Sequence, residues 1–289
     1  MPKKISYHRK RLGQVFLRDP LVVERILQSA ALVPDETVLE IGPGRGTLTT
    51  ALAQHTHALY AIEVDAHYTR TLQQQFASAT HVHIIEADAR FYDYKLLPQP
   101  LVVVANLPYS IGMAIVQRLL TFRQRLSRLV IMLQKEVAAR LAALPNSSTY
   151  GALSVFVQYY ARITHNFDVS RHAFTPVPAV DSSVITLRPF PVLPWPACDD
   201  RWLFRIVKNA FAHRRKTLRA NLLAAFPQAL SRTALAGVFT DLALNEHARA
   251  QELSVHQFVQ LAQALQSLCN AERDAAEYDP GLMDTELPP

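Results

Sequence analysis

The hydrophobic and polar positions of the first 190 residues alternate between two periodicities. Short apolar runs, typical of buried strands, are separated by stretches in which apolar residues recur every three or four positions, as in helices. The predicted strands are TVLEIG (37–42), HALYAIEV (57–64), HVHIIEAD (81–88), LVVVANLP (101–108) and RLVIMLQ (128–134). The helices predicted between them cover 22–32, 46–54, 68–76 and 111–122. This alternation predicts an α/β fold with a parallel sheet covered by helices on both faces.

The pattern changes towards the C-terminus. Two further strands are predicted at 161–169 and 182–189, antiparallel at one edge of the sheet. The segment PFPVLPWPACDD (189–200) contains four prolines and is typical of a linker. Beyond it the pattern is helical only. The predicted domains are an α/β domain with a basic N-terminal arm (1–190), a proline-rich linker (191–200), a helical domain (201–270) and an acidic tail (271–289).

Charge is distributed unevenly along the chain. The net charge of +6 is the sum of −5 in residues 272–289 and +11 in the rest. A basic body favours a polyanionic partner such as nucleic acid, with a merely solvated basic surface as the alternative. The acidic tail has the composition of a disordered segment.

Other classes of protein are disfavoured by composition. No apolar run approaches the ~20 residues that a membrane span needs, and the basic N-terminus lacks the apolar core of a secretory signal. The two cysteines, Cys198 and Cys269, have neither disulfide nor metal-ligand spacing. We therefore expect a cytoplasmic protein without a metal site.

Glycines and acids follow the first three predicted strands. Gly42 and Gly44 lie in the turn EIGPGRG, where a ligand can approach the backbone beside a helix N-terminus. Glu63 follows Gly42 by 21 residues, the interval at which an acid meets ribose hydroxyls in nucleotide-binding folds. Asp88, after the third strand, is placed to accept from an adenine amine. Alone, the glycine spacing indicates only a tight turn and each acid a helix cap; together they predict an adenosine-type cofactor.

The fourth strand ends in Asn106-Leu107-Pro108-Tyr109 at the same edge of the sheet. The Asn106 amide oxygen, with the carbonyl of Leu107 or Pro108, can accept both hydrogens of a substrate amino group. An aromatic amine is a poor nucleophile because its lone pair is delocalised into the ring. Two hydrogen bonds that hold its N–H groups in a tetrahedral arrangement would make that lone pair available for attack. Proline fixes the backbone, and Tyr109 offers a face for a base. In isolation the tetrapeptide is also a plain turn with a capping asparagine.

These motifs occur in order with five longer segments. They are RKRLGQVFLRD (9–19), MLQKEVAARL (132–141), PNSSTYGALSVFVQYY (145–160), HAFTPVPAVDSSVITL (172–187) and FAHRRKTLRANL (211–222). Together with EIGPGRG and NLPY they resemble the bacterial small-subunit (16S) ribosomal RNA adenine N6,N6-dimethyltransferases. The resemblance extends to about residue 270. It implies a Rossmann-like S-adenosylmethionine-dependent methyltransferase sheet with a small C-terminal all-helical domain.

The resemblance also implies roles for individual residues. S-adenosylmethionine would be held by Val15, Leu17, Gly42, Gly44, Glu63, Asp88 and Asn106. Val15 departs from the family, which has Asn or His there, and valine offers no side-chain hydrogen bond. The target amine would be received by Asn106, Leu107, Pro108 and Tyr109. Phe174 would face the flipped adenine opposite Tyr109, with a place in the hydrophobic core as its alternative.

A basic segment lies in the predicted helical domain. Residues 201–240 contain eight Arg or Lys and no acid. HRRKTLR (213–219) is predicted to be helical, with Leu218 and Leu222 turned to the core. Its outer face would present a cationic stripe to RNA phosphates, formed by Arg214, Arg215, Lys216 and Arg219. A stripe that is only solvated is the alternative.

The resemblance implies dimethylation of N6 of two adjacent adenosines near the 3′ end of 16S rRNA. The enzyme would act as a monomer on the assembling small subunit. One alternative is a large-subunit rRNA adenine dimethyltransferase. Another is an RNA-binding ribosome-assembly factor without catalysis, which Val15 keeps open and the intact NLPY segment disfavours. A DNA adenine methyltransferase is disfavoured because those enzymes usually have Pro-Pro-Tyr at this point.

Overall fold

The computed structural model describes residues 15–197 and 199–266. The predicted basic arm and acidic tail, and both cysteines, lie outside these residues. The described chain divides into two compact units: the first contains residues 15–138 and 161–191, and the second contains 139–160 and 192–266. The predicted domains placed 139–160 in the first unit. The structure instead groups this segment with the C-terminal helices.

The first unit is built on a mixed sheet. In chain order the described strands are β1 (Phe16–Leu17), β2 (Thr37–Ile41), β3 (Ala58–Glu63), β4 (Val82–Glu86), β5 (Leu101–Asn106), β6 (Leu126–Gln134), β7 (Ala161–Val169), β8 (Phe174–Thr175) and β9 (Ser182–Pro189). The main sheet has the order β4-β3-β2-β5-β6-β9-β7, and β1 pairs separately with β8. The strands β2 to β6 are parallel, whereas β9 runs antiparallel to both β6 and β7. All seven strands predicted from the sequence are present, including the antiparallel edge.

Helix α1 (Pro20–Ala30) precedes the parallel strands, and α2 (Thr47–Ala53), α3 (Ala66–Gln75) and α4 (Gly112–Thr121) lie in the connections between them. Helix α5 (Lys135–Leu141) follows β6, and its last residues belong to the second unit. Asp19 and Asp65 cap α1 and α3, because each carboxylate accepts a hydrogen bond from a backbone N–H of the first turn. The central strand β5 is buried along Leu101–Ala105, as expected for a parallel strand covered on both faces.

The second unit is helical. Its helices are α6 (Ala152–Tyr160), α7 (Asp200–Ala210), α8 (Leu218–Ala225), α9 (Arg232–Asp241) and α10 (Val255–Gln266). Tyr159 and Tyr160 of α6 donate hydrogen bonds of 2.7 and 2.8 Å to the two carboxylate oxygens of Asp200. These bonds attach α6 to the start of α7 and give a physical reason for grouping 139–160 with the C-terminal helices.

Candidate active site

The carboxyl ends of β2 to β5 form one edge of the sheet. After β2 the chain adds β3 and β4 on one side, and it then returns to place β5 on the other side. Such a reversal of strand order opens a crevice between the diverging connections, where ligands of α/β proteins bind. A cleft lies at this edge. The predicted residues that line it are Val15, Leu17, Gly42, Gly44, Glu63, Asp88, Asn106, Leu107 and Pro108, whereas Tyr109 and Phe174 are not among its lining residues.

Glycines shape the turn after β2 in different ways. Gly42 has a φ of +70°, and a Cβ added to it would have no neighbour closer than 4.0 Å, so this position leaves room for a ligand. A Cβ on Gly44, with a φ of +55°, would lie 2.9 Å from Cε1 of Phe16. Gly44 therefore serves the packing of Phe16 onto the turn. The guanidinium of Arg45 lies 4.5 Å from the centre of the same ring.

Glu63 joins the ends of β3 and β2. Its Oε2 accepts from Gly44 N at 3.0 Å, and its Oε1 accepts from Asp65 N at 2.9 Å. The residue is only 3% exposed, and burial raises the pKa of its carboxyl. Each oxygen retains a lone pair beyond its amide bond. Glu63 is therefore fixed in orientation and still able to accept from a diol.

Asp88 is held by the arginine two residues later. Nη2 of Arg90 lies 2.6 Å from Oδ2 of Asp88, and Nε lies 3.1 Å from Oδ1. The Arg90 hydrogen bonds lower the pKa of the Asp88 carboxyl. Asp88 is thus an ionised acceptor whose direction is set by Arg90. This partner was not predicted, because an arginine two residues after an acid has no distinctive signal in the sequence.

A third carboxyl, Glu40, lies in the cleft wall and was not singled out from the sequence. It is 2% exposed, and its Oε2 has no hydrogen-bond partner among the described residues. Burial raises its pKa to about 8. The one acid in the apolar run TVLEI was the signal that sequence reasoning passed over. With this pKa, Glu40 is protonated near neutral pH, while Glu63 and Asp88 supply the cleft with acceptors, which fits a ligand carrying N–H and O–H donors.

The segment after β5 turns tightly into α4. The Leu107 N–H donates to Met132 O at 3.2 Å, which extends the pairing of β5 with β6. The Pro108 carbonyl accepts from both Ile111 N (3.3 Å) and Gly112 N (2.8 Å). Both lone pairs of that carbonyl are therefore used. Of the two carbonyls considered from the sequence, Leu107 is the better placed to serve a substrate amine.

Phe174 is not among the residues that line the cleft. Its side chain is 0% exposed and belongs to the hydrophobic core of the first unit, with Leu17, Val22 and Val184. Backbone pairing of β8 with β1 places Phe174 opposite Leu17. The ring has no accessible face in this structure, and its predicted stacking on the target base stays a prediction. The alternative, a core residue, is the observed one.

The basic segment of the second unit is a turn and not a helix. Residues 211–217 lie between α7 and α8 and are not helical. Helix α8 begins only after Thr217, whose side chain caps it by accepting a hydrogen bond from Ala220 N. Asn221 stabilises the turn by donating to the carbonyls of Ala210 and His213. Leu218 and Leu222 are fully buried, as predicted.

The four predicted RNA-binding residues differ in their surroundings. Arg214 donates to the carbonyls of Tyr150 (2.9 Å) and Ser148 (2.8 Å). Arg219 contacts the carboxylate of Glu246 and the carbonyl of Arg232. The remaining two, Arg215 and Lys216, are exposed, as is Arg214.

A family model described as ribosomal RNA adenine dimethylase matches residues 5–267. The chain belongs to this family. A small-subunit ribosomal RNA methyltransferase A of Pseudomonas fluorescens is 42% identical over 260 residues, which cover 89% of this chain and 93% of that one. A protein of the same name from Vibrio atlanticus is 36% identical, over 92% of this chain and 96% of that one.

Solved structures agree with the fold. A dimethyladenosine transferase of Plasmodium falciparum superposes with a TM-score of 0.75 at 24% identity, over 88% of this chain and 98% of that one. The 23S rRNA methyltransferase ErmE superposes with a TM-score of 0.66 at 26% identity, over 87% and 99%. These findings confirm the predicted methyltransferase sheet and helical C-terminal region.

The dimethylase is an rRNA adenine methyltransferase that uses S-adenosylmethionine as its methyl donor, as predicted. Phe16 and Arg45 also line its cleft. They were not predicted, because in the sequence they stand between candidate residues and carry no signal of their own. None of the helices within the described ranges combines the length and apolar composition needed to cross a membrane.

Proposed function

We propose that this dimethylase methylates N6 of two adjacent adenosines near the 3′ end of 16S rRNA, acting in the cytoplasm on the assembling small subunit. The observation that carries the proposal is one cleft lined by Gly42, Glu63 and Asp88 on one side and by Asn106 on the other. Curated relatives named for the small subunit, 36% to 43% identical, support that substrate over the large subunit. A single chain contains all the proposed residues, so a monomer suffices.

Cofactor binding is assigned to the first unit. Glu63 would accept from the ribose hydroxyls and Asp88 from the adenine amine, while the open backbone at Gly42 admits the methionine portion. Val15 and Leu17 would contribute apolar contact, because neither side chain can donate or accept a hydrogen bond. When bound, S-adenosylmethionine supplies a methyl group attached to a positively charged sulfur.

Target binding is assigned to the segment after β5. The Asn106 side-chain oxygen and the Leu107 carbonyl would accept the two N–H bonds of the adenine amine and so direct its lone pair into the cleft. Preorganised acceptors of this kind stabilise the positive charge that develops on the amine during transfer. The proton lost afterwards leaves to solvent. A monomethylated amine retains one N–H, so one acceptor still orients it for the second transfer.

RNA binding is assigned to the exposed residues of the basic turn in the second unit, Arg215 and Lys216. Lysine and arginine side chains neutralise phosphates without reading sequence. Arg214 and Arg219 are engaged with carbonyl and carboxylate groups of their own unit. We assign them to holding the turn rather than to RNA.

The test combines the purified protein, labelled S-adenosylmethionine and small subunits from cells that lack this modification. Label mapped by mass spectrometry to dimethyladenosine at two adjacent positions near the 3′ end would support the proposal. Large subunits serve as the parallel substrate, and label there instead would favour the large-subunit enzyme. Binding of cofactor and small subunit without any label would favour an assembly factor.

A further inference from the structure

Tyr109 makes a hydrogen bond that the proposed function does not use. Its hydroxyl lies 2.8 Å from Oγ of Ser182, a residue 73 positions later in the chain. The tyrosine is half-buried, and Ser182 is 0% exposed. The bond therefore joins the segment that follows β5 to the first residue of β9.

Ser182 is a rigid anchor. It lies between two neighbouring strands, opposite Gln134 of β6 and Val169 of β7. Successive side chains of a strand point to opposite faces of the sheet. Accordingly the next residue, Ser183, donates to Asp168 at 2.7 Å. Two adjacent buried serines thus have separate partners, and Ser182 is the one that contacts Tyr109.

The bond restricts the remaining freedom of the Tyr109 ring. Pro108 fixes its own φ, so the backbone leading into Tyr109 is stiff and the ring moves chiefly by rotation about χ1 and χ2. Fixing the hydroxyl to a sheet residue restricts χ1, because Oη moves when χ1 rotates. Oη lies on the axis of χ2, so the bond restricts the plane of the ring through the preference of the phenolic O–H and its lone pair for that plane. A ring held in one plane can align a stacked base, whereas a rotating ring can only contact it.

We propose that Ser182 is a positioning residue for methyl transfer, holding the Tyr109 ring in the plane that presents the adenine amine to Asn106. This rests on the proposed function and on the predicted stacking of the target base on Tyr109. With Phe174 buried in the core, the described structure leaves the orientation of the base to Tyr109. Loss of the bond would leave stacking possible in several orientations, so turnover would fall while RNA binding persisted.

The experiment compares Ser182→Ala, Tyr109→Phe and the double variant with the unaltered protein, on small subunits lacking the modification. Each change removes the hydrogen bond and keeps the aromatic ring. We expect kcat to fall about tenfold in each single variant, the loss expected for one hydrogen bond, with little change in KM for the subunit. The double variant should lose no more than either single one, because both remove the same bond.

Ser183→Ala is the matched control. It also removes a serine hydroxyl from β9, but that hydroxyl contacts Asp168 and not Tyr109. It should leave kcat near that of the unaltered protein. Equal loss of kcat in Ser183→Ala would indicate general damage to β9 and overturn the proposal. Losses that multiply in the double variant, or unchanged kcat in both single variants, would overturn it as well.

A second measurement separates this proposal from the proposed function. Small-subunit RNA with 2-aminopurine at the target position reports stacking by its fluorescence without methyl transfer. If the unaltered protein transfers no methyl group, the proposed function fails. The fluorescence still shows whether the base stacks in the same way on the unaltered protein and on each variant. A stacked signal that is lost or altered in both Ser182→Ala and Tyr109→Phe, but not in Ser183→Ala, supports the positioning role; an identical signal in all of them contradicts it.

Discussion

Single residues of the cleft combine burial with polarity. Three carboxyls line one ligand site in different surroundings. Glu40 and Glu63 are almost completely buried, whereas Asp88 is paired with Arg90. Burial raises the pKa of the first two, and the arginine lowers the pKa of the third. Unpaired buried carboxyls destabilise a fold and are retained where a ligand uses them.

Asn106→Ala should abolish most methyl transfer. Removal of one preorganised acceptor from a reacting centre costs on the order of 10²–10³ in kcat, whereas binding of rRNA should be unchanged. Single-turnover methylation and a filter-binding assay measure the two effects. Asn166→Ala is the matched control, because that amide donates to Thr186 within the sheet. Retained turnover in Asn106→Ala would exclude the amine-binding role.

The cofactor-free protein should become less stable as pH rises. The Glu40 pKa is about 8 in the folded protein, against its ordinary value of 4.5, so between these pH values the folded state holds a proton that the unfolded state releases. The contribution of Glu40 to the free energy of unfolding is fully present below pH 4.5. It decreases towards pH 8 by up to ~1.4 kcal/mol per pH unit.

Glu40→Gln should flatten this dependence of the free energy of unfolding and raise stability most at pH 8. Urea unfolding at several pH values measures the effect. The exposed Glu86→Gln is the control and should leave the slope unchanged. A slope that is identical in Glu40→Gln and the unaltered protein would show that Glu40 is ionised when folded.

Among the secondary-structure elements, the turn from β2 to α2 depends on the short strand β1. Phe16 of β1 packs on Gly44, Arg45 packs on Phe16, and the pairing of β1 with β8 fixes all three. The turn is thus shaped by a strand that precedes it by some thirty residues and by another from far along the chain. Its glycines respond to two different demands, ligand access at Gly42 and packing at Gly44.

Gly44→Ala should weaken cofactor binding and stability together. The added Cβ would lie 2.9 Å from the Phe16 ring at a φ of +55°, at a cost of about 1–3 kcal/mol. Calorimetric titration with S-adenosylhomocysteine and thermal unfolding measure the two effects. Gly237→Ala, in α9 with nothing within 4 Å of the added Cβ, is the control and should stabilise by ~0.5–1 kcal/mol. Unaltered affinity in Gly44→Ala would mean that Phe16 does not shape the site.

Across the whole molecule, the chain forms two compact units whose sequences interleave. The chain leaves the first unit at residue 138 and returns to it at 161, so the helical unit is assembled from two separate segments. Arg214 joins them, because it donates to the carbonyls of Ser148 and Tyr150. Among the described residues most of the net positive charge lies in the second unit, whose own packing uses part of it.

Arg215→Gln combined with Lys216→Gln should weaken rRNA binding and reduce its salt dependence. Each lost phosphate contact lowers the slope of log K against log salt by about 0.7–0.9. Arg214→Gln should instead lower the melting temperature and change the slope little. Binding measured at several salt concentrations and thermal unfolding distinguish the two. An unchanged slope in the double variant would mean that the basic turn is only solvated surface.

Periodicity and spacing by themselves determined the strands, the connecting helices and the order of the chemical groups along them. Strand ends meet at one edge of a parallel sheet, so Gly42, Glu63, Asp88 and Asn106 had to come together once the alternation was recognised. These are local or topological properties. They can be inferred without knowing which side chain packs on which.

Only the tertiary structure decided the contacts between distant segments. It buried Phe174 in the core, assigned 139–160 to the helical unit, made 211–217 a turn that ends at the cap of α8, placed Arg90 on Asp88 and joined Tyr109 to Ser182. A hydrophobic pattern tells which face of an element is covered but not what covers it. Partners that lie far apart in the chain are selected by packing and hydrogen-bond geometry, which exist only after the chain has folded.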